Sequence, residues 1–334
     1  MRRTANSVAM AVCVTIAMAT TLLAGAAGAG VTARAQPQTA PPSQPSSPSQ
    51  PPSTPTFRTR GEGVRIDVLV TDRDKPVAGL TTKDFALTDH GIGQVVEAAS
   101  MASMPLDVIL VLDLSVSLGE DGLRHLISGA DALLTRLRPA DRVALVTFSQ
   151  VVTLRSDLTT EHGRVRDLLK GLRIHGMTSA IDAAYAGMTL QQDADRPTMM
   201  LVFTDGLDTQ SWLRADAVLD TARQSAVVPY AVVAGEGVKP FTAPKASLLS
   251  GGAPRDPSAR FLWDLVHAGG GVFMNAEATN QLERRFTEAL DSFRQRYILT
   301  YVPRGVERKG WHPVTIAVKD RSYRIRARPG YFVP

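Results

Sequence analysis

Residues 106–112 are apolar almost without interruption, and 142–148, 198–204 and 228–234 repeat the pattern. Runs of this kind mark strands buried on both faces. Between the first two, Leu123, Leu126, Ile127, Ala130, Leu133, Leu134 and Leu137 recur at steps of three and four, which predicts an amphipathic helix. Further helices are expected over 161–171, 179–191, 215–225 and 259–268, and Leu282, Phe286, Leu290 and Phe293 mark a last one. Val151–Arg155 follows the second buried strand across the tight Ser149-Gln150 link, so it is expected to run antiparallel at an edge. Val272–Met274 is a short strand. Strand and helix thus alternate across 105–296. That rhythm requires right-handed crossovers and an α/β fold with a doubly wound, mostly parallel sheet, Rossmann-like in its layering.

The flanks have a different period. Val64–Val70 alternates apolar and polar residues, as a half-buried strand does, and 84–88 and 94–98 read as further short strands. Period-two segments return at 297–302, 314–318 and 323–328. Three short strands alone rarely bury enough to be stable. The economical layout pairs an N-terminal β segment, 57–104, with a C-terminal one, 297–334, in one small β-sandwich from which the α/β domain, 105–296, projects. Two independent β appendages are the alternative. Residues 235–257, rich in Gly, Pro and Ser, read as a long surface loop.

The first residues change the picture of where the chain works. Arg2 and Arg3 precede an apolar run from Val8 to Gly30, and Ala33-Arg34-Ala35 fits the small-residue rule for signal cleavage. Residues 1–35 are therefore expected to be a signal peptide, with 24–26 and 27–29 as competing sites. An uncleaved membrane anchor is the alternative, since the run is long enough to cross a bilayer. Either way the remainder is expected to be exported: periplasmic, secreted or at the cell surface. Residues 36–56 hold eight prolines, five serines and no charge, and read as an extended tether. The lone cysteine, Cys13, falls in the apolar run, so the remainder has neither a disulfide nor a thiolate nucleophile. The formal charge of +5 shrinks to 34 basic against 32 acidic residues once 1–56 are set aside. With few aromatics, this gives no support to a nucleic-acid partner.

In open α/β sheets ligands bind at the C-terminal ends of the strands. Three polar clusters fall there. The first buried strand runs into Asp113-Leu114-Ser115-Val116-Ser117. Gly176-Met177-Thr178-Ser179 precedes a helix, with Asp182 four residues after Thr178. The strand 198–204 ends in Asp205-Gly206. Each alone reads equally well as a cap. Together they supply only carboxylates and hydroxyls, a donor set that suits a hard cation such as Mg²⁺, Mn²⁺ or Ca²⁺.

This order and spacing resemble the metal-ion-dependent adhesion site of von Willebrand factor type A domains. The flanks resemble those of bacterial exported proteins related to that family, with Pro76–Phe85 standing for a P-V-x-G-L-T-x-x-D-F stretch and 326–331 for R-A-R-x-G-Y. The resemblance implies that Ser115, Ser117 and Thr178 give hydroxyl oxygens to one divalent cation, Mg²⁺ first. It implies that Asp113 and Asp205 act mainly through bound water, and that Asp182 orients the threonine loop from behind. Asp208 lies near the same rim, as a ligand neighbour or a turn residue. Neutral hydroxyl ligands leave the cation under-compensated, so the implied partner is a protein with an exposed acidic residue. Met177 departs from the Gly-Gly-Thr that many members carry, without removing a ligand.

Enzyme readings have less behind them. The six histidines are scattered and none stands in H-E-x-x-H; His175 alone is near a cluster. G-x-S-x-G and G-x-x-x-x-G-K-[ST] are both absent from the sequence. A Mg²⁺-dependent phosphatase with Asp113 as nucleophile wants an acid two residues on, where Ser115 stands, and a nearby lysine. A purely structural envelope protein is the remaining alternative.

Overall fold

The alternating positions of the N-terminal flank become β1 (Val64–Asp72), β2 (Lys75–Pro76), β3 (Phe85–Asp89), β4 (Ile92–Gln94) and β5 (Glu97–Ser100). The apolar runs and amphipathic segments become β6 (Asp107–Asp113), α1 (Gly119–Thr135), β7 (Arg142–Phe148), β8 (Val152–Thr159), α2 (His162–Lys170) and α3 (Ala180–Met188). They continue as β9 (Thr198–Thr204), α4 (Ala215–Gln224), β10 (Val228–Ala234), α5 (Pro257–Ala268), β11 (Val272–Ala276) and α6 (Leu282–Arg294). The C-terminal flank adds β12 (Tyr297–Tyr301), β13 (Gly310–Val318), β14 (Arg324–Arg326) and β15 (Gly330–Val333). The structure, a computed structural model, describes residues 63–193, 195–206, 208–234, 257–320 and 322–334. The signal, tether and Cys13 readings, and the loop reading for 235–256, lie outside these residues.

The central sheet has the order β11-β10-β9-β6-β7-β8. Its pairs are parallel except β7 with β8, which is antiparallel and irregular between Val143 and Val146. α1, α2 and α6 cover one face, against Leu110, Leu112 and Phe203 among others. α3, α4 and α5 cover the other, against Ile109, Val111 and Val202. Burial on both faces is what the unbroken apolar runs encode.

The flanks build two antiparallel sheets, and each sheet mixes N- and C-terminal strands. One has the order β14-β1-β12-β5, with β2 beside β1; the other is β15-β13-β3-β4. Ile66, Val68, Phe85, Leu87, Leu299, Tyr301 and Val314 pack between them. Two expectations need correction. The strand expected over 94–98 is two strands, because the chain leaves β4 in one sheet and enters β5 in the other. The crossing is made at Val95, 83% exposed, and Val96, buried. The strand expected over 323–328 is only β14, and a fourth C-terminal strand, β15, follows in the opposite sheet.

Both crossings between sandwich and α/β body, β5 to β6 and α6 to β12, lie at the N-terminal ends of the parallel strands. A polar seam holds this end. Asp107, fully buried, pairs with Arg142 and Arg196. Asp141 accepts from the Leu106 N–H at 2.9 Å and pairs with Arg294. Arg296, also fully buried, donates to the carbonyls of Gly270 at 2.6 Å and Asp67 at 3.0 Å, tying β12 to the α5–β11 turn and to β1. The C-terminal ends of the strands, where the three polar clusters lie, are left at the far end.

Candidate metal centre

β6 ends in Asp113, whose side chain is fully buried. Its Oδ1 accepts from the backbone N–H of Ser115 at 2.8 Å, and its Oδ2 from the hydroxyl of Thr204 at 2.5 Å. The short bend from Asp113 to Ser115 is thus made by the aspartate itself. A single 3₁₀ turn, Val116–Leu118, then turns Ser117 outward before α1. Ser115 and Ser117 bring their hydroxyls to 3.0 Å of each other, and Ser117 donates to Asp205 Oδ1 at 3.1 Å.

Thr178 enters from the loop before α3. Ser117 Oγ and Thr178 Oγ1 lie 3.4 and 3.8 Å from the point where a Cβ on Gly206 would stand. The missing side chain therefore leaves a cradle between the two hydroxyls. Backbone bonds lace the loops into one rim: His175 N–H to Leu114 O at 2.8 Å, Val116 N–H to Gly176 O at 3.1 Å, and Ser179 N–H to Ser149 O at 2.8 Å. Thr178 O accepts from the N–H groups of Thr209 and Gln210 at 2.8 and 3.0 Å. Gly176 makes this lacing possible: its φ is +68°, and a Cβ would collide with the Gln150 side chain. No sequence motif pointed to that pairing.

The structure brings Asp113, Ser115, Ser117, Thr178 and Asp205 to one rim. The outer residues take other parts. Asp182 accepts from the N–H groups of Trp212 and Leu213, both at 2.9 Å, so its direct hold is on the loop after β9, whose Thr209 and Gln210 N–H groups bond the Thr178 carbonyl. Asp208 Oδ1 lies 3.3 Å from the Ile181 N–H and accepts from the Ser211 hydroxyl at 2.5 Å, an N-terminal tie for α3. The imidazole of His175 turns to the Arg173 carbonyl at 3.1 Å. Val116, Met177 and Trp212, neighbours of these residues in the chain, are 62, 49 and 92% exposed. Trp212 was not marked by the sequence pattern, because nothing in its spacing distinguishes it from a core aromatic.

The electrostatics are those of an anion pair without a counter-charge. Burial pushes the Asp113 carboxyl up to about 6, and the neighbouring Asp205 adds to this against the hydrogen bonds from Thr204 and Ser115. Burial also raises Asp205, with the Ser117 hydroxyl opposing. Among the described residues no Lys or Arg forms an ion pair with either. Two carboxylates and three hydroxyls around a side-chain-free cradle fit a hard divalent cation, and the donors present are oxygen alone.

Residues 108–207 match the family model for the von Willebrand factor type A domain. No curated protein matches the chain. Among solved structures, the von Willebrand factor type A protein from Catenulispora acidiphila is 10% identical, with 83% of this chain and 74% of that one covered and a TM-score of 0.48. Proximal thread matrix protein 1 from the mussel byssus, solved with a zinc-occupied MIDAS motif, is 13% identical over 61% of this chain, with a TM-score of 0.47. This chain spans 49% of that protein's length. An aerotolerance-related membrane protein from Bacteroides fragilis is 15% identical over 56% of this chain and 98% of its own, with a TM-score of 0.42. No helix among the described residues is long and apolar enough to cross a membrane. The matched segment and the sheet order agree: the α/β body of this chain is a von Willebrand factor type A-like domain.

Proposed function

We propose that this chain is an exported, non-enzymatic adhesion module. It holds one divalent cation, Mg²⁺ first, at the C-terminal edge of its central sheet and uses it to bind an acidic group of a protein partner. The observation that carries this reading is the oxygen-only rim: the Ser117 hydroxyl stands 3.0 Å from that of Ser115 and 3.1 Å from Asp205 Oδ1, with Thr178 across the Gly206 cradle. Ser115, Ser117 and Thr178 would hold the cation directly, with Asp113 and Asp205 behind bound water. A bound cation supplies positive charge that neutral hydroxyls do not cancel, and a partner carboxylate completes its shell. Asp182 and the Thr178 carbonyl bonds keep the rim in place. The exposed Val116, Met177 and Trp212 suit a partner with apolar residues beside its acid. Export rests on the N-terminal pattern of Arg2, Arg3 and the apolar run after them.

The phosphatase alternative lacks its parts: Ser115 stands where the second acid belongs, and among the described residues no lysine pairs with Asp113. Calorimetric titration of Mg²⁺ and Mn²⁺ into the full chain, beside a Thr178→Ala variant, tests the proposal. Saturable one-site binding in the parent, weakened in the variant, is expected. Equal binding in both removes Thr178 from the site and with it the adhesion-type reading.

A further inference from the structure

The six histidines look scattered in sequence, yet the sandwich brings two of them to one buried aspartate. β3 ends in Asp89, fully buried, and β13 pairs with it in the register Val314 to Asp89. His312 on β13 is 1% exposed and faces Tyr331 of β15 across a ladder pair. His90 follows Asp89 in a tight turn, His90-Gly91, in which both residues have positive φ (50° and 77°). Its N–H is pinned to the Pro313 carbonyl at 3.0 Å, one residue from His312. The ligating atoms of Asp89, His90 and His312 all lie within 4.8 Å of one another.

We propose that Asp89, His90 and His312 form a second metal site, for a borderline cation such as Zn²⁺, with Tyr331 beside it. Asp89 Oδ1 is 3.2 Å from His312 Nδ1 and 3.5 Å from His90 Nδ1, and Tyr331 Oη is 3.2 Å from His312 Nδ1. The 3.2 Å contact of His312 with Asp89 stands at the long end of ordinary N–H···O hydrogen bonds and beyond the about 2.7–2.9 Å of charge-assisted ones. A tetrahedral zinc ion with bonds of about 2.0–2.1 Å sets its ligand atoms about 3.3–3.4 Å apart, close to the two Asp89–imidazole distances, and all three ligand atoms lie within 4.8 Å of one another. Two imidazoles and one carboxylate are a zinc donor set, with the fourth position left to water or Tyr331.

The surroundings are those of a held ligand. Tyr331 and Tyr301 donate to Asp89 Oδ2 at 2.7 and 3.0 Å, which orients the carboxylate and leaves Oδ1 toward the histidines. Among the described residues no Lys or Arg pairs with Asp89, so its buried charge has only the two imidazoles as possible cationic partners. A cation between them meets that need. His312 Nε2, buried, has no hydrogen-bond partner among the described residues. Ligation at Nδ1 puts the ring proton on Nε2. His312 and Tyr331 also line a cavity of about 840 Å³ between the sandwich and the start of β10. His90, 38% exposed at its side chain, gives the ion a path in. This site shares no residue with the oxygen-only rim and does not depend on it.

Co²⁺ titration of the full chain, followed in the visible, separates the two sites: tetrahedral histidine-ligated cobalt absorbs strongly, and an octahedral oxygen site absorbs weakly. The expected result is a strong band that saturates at one equivalent, survives in Thr178→Ala, and is displaced by Zn²⁺. In His90→Asn the Co²⁺ affinity falls by roughly 100-fold or more, with metal-free thermal unfolding unchanged, because Asn tolerates the left-handed turn. His90→Gly, which suits φ +50° better still, gives the same loss and guards against misfolding of the first variant. Absence of a strong band in the parent, or an unchanged band in folded His90 variants, overturns the proposal and leaves a hydrogen-bonded polar cluster.

Discussion

The Ser117 hydroxyl meets Asp205 Oδ1 at 3.1 Å, although the two residues lie on loops 88 positions apart. The contact fixes the distance between the ends of β6 and β9 without any bound ion. Asp205→Asn keeps the shape and an acceptor oxygen but removes the charge. It is expected to weaken Mg²⁺ binding by at least about tenfold, with a thermal midpoint within a few degrees of the parent. Calorimetry beside a melting curve checks both parts.

The rim's response to pH follows from Asp113. Its folded value, about 6, lies above the ordinary 3.8, so the folded state holds the proton more tightly than the unfolded chain. Without metal, this group's contribution to stability is therefore full below about pH 4, is lost as pH rises through about 6, and stays lost above. A shift of this size corresponds to something on the order of 3 kcal/mol. A cation favours the ionised form, so stabilisation by Mg²⁺ is expected near pH 7.5 and little is expected near pH 5. Melting curves at the two pH values, with and without Mg²⁺, measure the sign directly.

Gly206 sets the room in the cradle. A methyl there stands at ordinary contact distance from Ser117 and Thr178, whereas a branched side chain reaches into the space between them. Gly206→Ala is expected to bind Mg²⁺ nearly as the parent does. Gly206→Val is expected to lose most binding while its unfolding midpoint in urea changes little. Similar titration curves for the two variants would place the cation elsewhere.

Gly176 acts through the loop instead. Any side chain there meets both a positive φ and the Gln150 side chain. Gly176→Ala is expected to cost about 1–2 kcal/mol in denaturant unfolding. The double variant with Gln150→Ala is expected to recover the steric part only.

Arg296 holds the sandwich to the α/β body by its bonds to Gly270 O and Asp67 O. Arg296→Met keeps much of the volume and orphans these carbonyls. It is expected to destabilise the chain by about 2–4 kcal/mol in urea unfolding.

The parts that were legible in the sequence are those with local periodicity. The doubly wound sheet is written in the unbroken apolar runs at 106–112 and 198–204, and the rim residues stand where those runs stop. The parts that were not legible depend on distant pairing. The sheet switch at Val95-Val96 and the strand β15 follow from which sheet each segment joins, and a two-residue period carries no such label. Asp182 was expected behind the threonine loop; the partners through which it reaches that loop, Trp212 and Leu213, are fixed only when β9 returns beside α3. Asp89 and His312 are 223 residues apart and sit in segments that read as plain half-buried strands.

The proposed function stands on a cation held among Ser115, Ser117 and Thr178. Anomalous diffraction from crystals of the full chain grown with Mn²⁺ tests it most directly. A peak within bonding distance of all three hydroxyls is expected, absent in Thr178→Ala crystals. A map from crystals saturated with Mn²⁺ that shows no peak between these hydroxyls, with the rim open to solvent, would contradict it.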